Sequence, residues 1–61
     1  MMNKYHTYFV FWMAGNALGT IDIGNLTFRT QSTGELLVQD AICQAQSKNS
    51  NAVVVNICKL D

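Results

Sequence analysis

The sequence predicts a small α+β domain of the order β-β-α-β, in which one helix packs on one face of a three-stranded antiparallel sheet. Runs rich in aromatic and β-branched residues over 5–13 and 52–60 are typical of strands. A third run, from Thr20 to Thr30, alternates apolar and polar residues, and a helical stripe follows it. A helix that crosses one face brings the last strand back beside the first, which gives the strand order 2-1-3. At this length the chain, 1–61, forms a single domain.

The first and last strands carry apolar side chains on both faces, although a sheet with one solvated side alternates apolar and polar residues. In the first strand, one face has Tyr5, Phe9, Phe11 and Met13, and the other has Tyr8, Val10 and Trp12. In the last strand, Val53, Val55 and Ile57 oppose Ala52, Val54 and Cys58. Because one helix covers only one face, we expect the other face to meet a second chain.

The apolar pattern of the second strand shifts by one residue at Gly24-Asn25. Its apolar residues are Ile21 and Ile23 before the shift, and Leu26 and Phe28 after it. We expect a β-bulge at Gly24 within one long strand, because a bulge turns every later side chain over. A tight Gly-Asn turn that makes a small separate hairpin is the alternative.

The helix is predicted to begin at Ser32, which with Glu35 has the spacing of a capping box. At 100° per residue, one face of this helix is apolar. The apolar stripe consists of Leu37, Val38, Ala41, Ile42 and Ala45. The polar segment 48–51 ends the helix before the last strand.

These elements predict a core and an opposite, partner-binding face, although periodicity alone does not decide which face the helix covers. The expected core is Phe9, Phe11, Leu26, Phe28, Val53, Val55 and Ile57 under Leu37, Ala41, Ile42 and Ala45. The expected contact residues are Tyr8, Val10, Trp12 and Val54, with Arg29 nearby. Either choice of face leaves a surplus of apolar side chains.

Composition favours a protein partner. The chain is 49% hydrophobic and 13% charged, with a formal net charge of zero, so a folded chain with a sticky surface is expected. Duplex binding normally uses several Lys and Arg contacts to phosphates, and four scattered cations supply few of them. No apolar segment approaches the roughly 20 residues of a membrane span, so no membrane partner is expected.

No residue pattern indicates an enzyme, a cofactor or a metal. The lone His6 and the two cysteines, Cys43 and Cys58, lack the spacing of zinc ligands. The carboxylates include no close pair of the kind that acid–base catalysis uses. Two cysteines do not make a disulfide framework, so free, packed thiols in a reducing compartment are expected, which favours the cytoplasm.

The segment 23–28, the Ser-led helix and the closing strand 53–60 together carry a resemblance to a known group. The chain is similar to small uncharacterised phage and prophage proteins of about this length, which have a Gly-aromatic-Gly-Asn segment in the second strand. It departs from them in its helix, which is strongly charged in that group and here contains Gln39, Cys43 and Gln44. The resemblance implies an accessory role, such as inhibition of a host or defence protein, and no catalytic residue.

The expected function is therefore that of a non-enzymatic protein-binding module, which covers a surface of its target or self-associates as a homodimer. A single-stranded nucleic-acid-binding protein is the alternative. In that case Tyr8 and Trp12 would stack on bases, with Arg29 close by.

Overall fold

The computed structural model describes residues 4–61 and confirms the predicted architecture. Strands β1 (His6–Gly15) and β2 (Ile21–Thr30) are followed by helix α1 (Gly34–Lys48) and strand β3 (Val53–Lys59). All strand pairs are antiparallel, and the sheet order is β2-β1-β3, so β1 is central. The helix lies on one face of an open sheet.

The expected bulge at Gly24 is absent, and so is the alternative hairpin. The pairing of β1 with β2 runs without interruption from His6↔Thr30 to Gly15↔Ile21, and Trp12 faces Gly24 within it. The backbone therefore keeps its register through Gly24. The apolar pattern of β2 shifts because its apolar residues change from one face of the sheet to the other.

A bulge lies instead in β3. Phe11 pairs with Asn56 and Trp12 pairs with Val54, so Val55 is an extra residue without a partner in β1. This insertion places Val54 and Ile57 on the same face, although three positions separate them. A run of three valines has no alternation that could reveal such a change in sequence.

The β1–β2 connection is organised by Asn16. Its side-chain carbonyl accepts hydrogen bonds from the backbone N–H groups of Leu18 (2.9 Å) and Thr20 (3.2 Å), and its amide donates to the Thr20 hydroxyl (2.7 Å). The only positive φ in this connection among the described residues is at Gly19, at 81°. The connection 16–20 thereby closes β1 and β2 in an unbulged register.

The N-cap lies one residue later than the predicted Ser32, and the capping box does not form. Thr33 is the N-cap, and no side chain makes a cap hydrogen bond there. Ser32 instead donates its backbone N–H to the Thr30 hydroxyl at 3.0 Å, and that hydroxyl donates to the Asp40 carboxylate at 2.9 Å. This network attaches the start of α1 to the end of β2.

Gly34 has a φ of 58° at the start of the helix, and this positive φ decides whether a substitution there stabilises or destabilises the fold. Helix propensity alone predicts that Gly34→Ala stabilises the fold by up to about 1 kcal/mol. We expect the opposite, a loss of about 1 kcal/mol, because a Cβ is strained at positive φ. Denaturant unfolding measures the difference.

Gly15→Ala is the matched control for Gly34→Ala. An added Cβ meets no atom within 4 Å at either position, but Gly15 does not have a positive φ. The control should change stability by less than about 0.5 kcal/mol. A Gly34→Ala variant as stable as the wild type would contradict the positive φ at this position.

The core is small and lies between α1 and the face of the sheet that carries the even-numbered residues of β1. Within residues 4–61, the buried large apolar side chains are Tyr8, Val10 and Leu26, and the other buried apolar residues are alanines. Ala41 is fully buried against Val10 and Leu26. Trp12, Phe28, Val54 and Ile57 pack around this cluster. A core of this size leaves much of the chain's apolar surface uncovered.

The predicted core is therefore correct in part. Leu26, Phe28, Ile57, Ala41 and Ala45 lie in it or against the sheet as expected, whereas Phe9, Phe11 and Val53 lie on the opposite face. Val55, the residue of the bulge, is exposed and is not part of the core either. The error arises because a bulge was expected at Gly24. Such a bulge would have placed Leu26 and Phe28 on the same face as Phe9 and Phe11, whereas the unbroken register places them on opposite faces. Ile42, at the side of the helix, is 37% exposed.

Candidate interaction surface

Four of the five predicted contact residues lie under the helix. Val10 is fully buried, Tyr8 is 7% exposed, and Trp12 and Val54 pack against the same cluster. Their expected placement on a bare face is wrong, since the unbroken β1–β2 register joins them to Leu26 and Phe28 beneath α1. Arg29 lies on the other face, opposite Thr7, and is exposed.

The other face of the sheet, which we call the open face, carries the surplus of apolar side chains. No element among residues 4–61 covers it. Its apolar residues, called the open-face patch, are Phe9, Phe11, Met13, Ile21, Ile23 and Val53. Exposure reaches 72% at Ile23 and 64% at Val53, and the more central Phe11 is still 43% exposed. Large apolar side chains are rarely this exposed together on one face of a small domain.

The cross-strand pairing makes the patch continuous. Met13 of the central strand faces Ile23 on one side and Val53 on the other, which forms an apolar row across all three strands. The neighbouring row contains Phe11 between two asparagine amides, Asn25 and Asn56. Side chains opposite each other in a sheet are in contact distance, so these rows form one surface.

Two aromatic rings stabilise the middle of the open-face patch. The rings of Phe9 and Phe11 meet edge to face, with 5.0 Å between centroids and an interplanar angle of 86°. This is a preferred geometry for aromatic pairs and limits the rotamers of both rings. Phe11 lies on the central strand and between the rows of Phe9 and Met13, which places it near the centre of the patch.

The open face carries little charge. Of the basic and acidic strand residues, His6, Asp22 and Lys59 lie level with even-numbered residues of β1, on the helix side. Arg29 is the one strand residue of this kind on the open face, and its guanidinium lies over the Tyr5 ring at 5.6 Å from the centroid. A surface that is apolar, contains amides and has one cation at its margin suits an uncharged partner.

The perturbed carboxylates lie away from this surface. Hydrogen bonds from Ser32 and Thr30 lower the pKa of Asp40, and a hydrogen bond from the Thr7 backbone N–H, with a smaller effect of His6, lowers the pKa of Asp61. Both groups are therefore ionised at neutral pH, each held by its own local donors. A carboxylate with a lowered pKa is a poor general acid or base.

The grooves beside the helix do not bring titratable groups together. A groove of about 320 Å³ between α1 and β3 is lined by Val38, Ile42 and Val54, among others. A second, of about 460 Å³ at the start of the helix, has Glu35 as its one titratable lining residue. The first groove lies at the helix–sheet junction, and the second is lined by residues of α1 alone.

The described residues contain neither a cluster of metal ligands nor a helix that could span a membrane. Across residues 4–61, no three His, Cys, Asp or Glu side chains converge where they could hold a metal ion. No helix in that range is both long and apolar enough to cross a membrane.

The two thiols are free, and both are exposed rather than packed as predicted. Cys58 pairs with Phe9 in the register and so lies on the open face. Cys43 lies on α1, away from the buried Ala41 and Ala45. The chain thus has one thiol beside the open-face patch and one on the outer side of the helix.

No family model matches this chain, and no curated protein or solved structure is significantly similar to it. The candidate surface is therefore described from its geometry alone. Sequence reasoning missed Phe9, Phe11 and Val53 as surface residues. The strand register could have identified them. An unbulged β1–β2 pairing places Tyr8 opposite Phe28 and Val10 opposite Leu26, which gives one strongly apolar face for the helix to cover. The same pairing places Phe9 and Phe11 opposite polar residues, on the other face.

Proposed function

We propose that the chain is a non-enzymatic protein-binding module that uses the open face as its contact surface. The observation that carries this proposal is the open-face patch itself, a continuous apolar surface on the side of the sheet that no described element covers. The module acts by occupying the surface of its partner. With a heterologous target, this is inhibition by occlusion, the role that the phage-protein resemblance implies. Two unbridged thiols suit a reducing compartment, and we place the module in the cytoplasm.

The size of the patch supports a binding role. At their exposed fractions, its side chains offer roughly 600 Å² of apolar surface, at the upper end of the largest patches on ordinary monomers. Covering that area contributes about 15 kcal/mol before the cost of association. The cost of association is a large part of this sum, but the remainder matters to a domain with so small a core.

Nucleic acid is less well supported as the partner. The aromatic residues expected to stack on bases, Tyr8 and Trp12, lie on the helix side of the sheet. Phe9 and Phe11 are on the open face, but Arg29 is its one charged strand residue and already faces Tyr5. Binding to single strands normally combines stacking with a positively charged groove.

Phe11→Asp is expected to weaken partner binding at least about 30-fold, as the loss of a central aromatic anchor does. The introduced carboxylate would be buried without a counter-charge in the complex, whereas in the free chain it points to solvent. The chain can be immobilised and tested for retention of labelled chain and of lysate proteins, at low and high salt. Retention on the wild type should persist at high salt, since apolar contacts do not depend on released counterions.

Leu36→Asp is the matched control, because Leu36 is also a large exposed apolar residue, at 63%, but lies on α1. The control should bind like the wild type. The proposed function fails if Phe11→Asp retains the same proteins as Leu36→Asp. Retention that salt abolishes and nuclease removes would favour nucleic acid.

A further inference from the structure

We infer that the partner on the open face is a second copy of this chain, so that two sheets pack face to face with the helices on the outside. This inference rests on the proposed function and specifies its occupant. Two antiparallel sheets that pack in this way form an ordinary sandwich, in which the inner faces interdigitate. The resulting order of layers is helix, sheet, sheet, helix.

The first support is area. Interfaces of standard size bury about 800 Å² per partner, and the open-face patch supplies roughly 600 Å² of apolar surface before the surrounding polar residues are counted. Ile23, Met13 and Val53 alone span all three strands of the sheet. A second copy has a face of the same extent, so two copies can cover each other's open-face patch completely.

The second support is chemical self-complementarity. A two-fold interface brings the same surface of both copies together, so a strongly charged face would repel itself. The open face has one cation, Arg29, which lies at its margin over Tyr5. Its other polar strand residues include Asn25 and Asn56, whose amides both donate and accept hydrogen bonds and can therefore pair with their own copies.

The third support is the small core of the protomer. Homodimer interfaces are more apolar than the rest of a protein surface, and their apolar side chains are partly exposed in each separate subunit. Phe11 at 43% and Met13 at 38% exposure, both on the central strand, fit that description. Burying the other face of β1 against a second copy would give a central strand that is covered on both sides.

The test uses the unmodified full chain. Solution mass is measured by light scattering and sedimentation over a dilution series, and both thiols are labelled with a thiol-specific reagent at each concentration. We expect twice the protomer mass of 6.8 kDa at high concentration and the protomer mass on dilution. At a protein concentration about one hundred times the dimer Kd, Cys58 should be labelled about tenfold more slowly than in the dilute protomer, because few free protomers remain by mass action.

Cys43 is an internal control for the labelling. It is exposed on the helix, outside the proposed interface, so its rate should not change with concentration. Phe11→Asp should shift the mass transition to at least about 30-fold higher concentration. Leu36→Asp should leave the transition in place. The labelling of the wild-type chain provides an answer even if Phe11→Asp does not fold.

Two results would overturn the inference. A folded wild-type chain that keeps the protomer mass at millimolar concentration excludes a second copy, while retention experiments with Phe11→Asp still test the open face against other proteins. A dimer whose Cys58 reacts as fast as its Cys43 excludes face-to-face packing and indicates association through a sheet edge.

Discussion

Replacing Trp12 by alanine is expected to lower the free energy of unfolding by about 3 kcal/mol, the effect of removing a large aromatic residue from a core. Trp12 packs on the cluster formed by Val10, Leu26 and Ala41 and also covers Gly24 on the neighbouring strand. Few other large side chains contribute to this core, so the cavity has little nearby material to fill it. Denaturant unfolding followed by circular dichroism measures the loss at equal protein concentrations.

Trp12→Phe is the informative companion to Trp12→Ala. The indole Nε1–H is buried and has no hydrogen-bond partner within the described residues, which costs about 1–3 kcal/mol. Phenylalanine keeps much of the packing and removes this donor, so we expect a stability within about 1 kcal/mol of the wild type. If Trp12→Ala were as stable as the wild type, the tryptophan would not be part of the core.

Gly24→Ala is expected to destabilise the fold by about 2–3 kcal/mol, as overpacking does. Trp12 and Gly24 face each other in the β1–β2 register, and a Cβ at position 24 would overlap the indole ring. Alanine normally improves a strand position relative to glycine, since glycine loses more conformational entropy on folding. The sign of the effect therefore distinguishes this close contact from an ordinary strand position.

A double-mutant cycle isolates the contact between Trp12 and Gly24. In the Trp12→Ala background the ring is absent, and Gly24→Ala should become neutral or slightly stabilising. The expected coupling between the two positions is about 2 kcal/mol, in the range of residues in direct contact. Additive effects of the two substitutions would contradict the placement of the ring over the glycine.

The types and order of the elements could be predicted from sequence because each depends on local periodicity. The aromatic run of β1, the stripe of α1 and the valine-rich β3 each have a clear pattern, and the strand order follows from a single helical crossover. The network of Ser32 and Thr30 with Asp40 could not be predicted in this way, because it depends on where the helix start meets the end of β2.

The face that carries the helix depends on register, and the one-residue shift in β2 gave the wrong register. Position 24 requires glycine because the Trp12 ring occupies the space that a side chain would need, and the backbone there is regular. The actual bulge, at Val55, lies in a run of valines with no alternation. The surplus of apolar side chains was nevertheless predictable, since β1 is apolar on both faces whichever face the helix covers.

Met13 and Trp12, adjacent in sequence and on opposite faces of β1, provide the most direct test of the central claim. Oxidative footprinting of the wild-type chain, read residue by residue by mass spectrometry across a dilution series, compares their accessibility. At low concentration we expect Met13 to be oxidised readily and Trp12 to be protected, and at high concentration we expect both to be protected. If Trp12 is as reactive as Met13 in the dilute folded chain, or Met13 stays reactive at every concentration and with every partner, the open face is not the surface through which this protein binds.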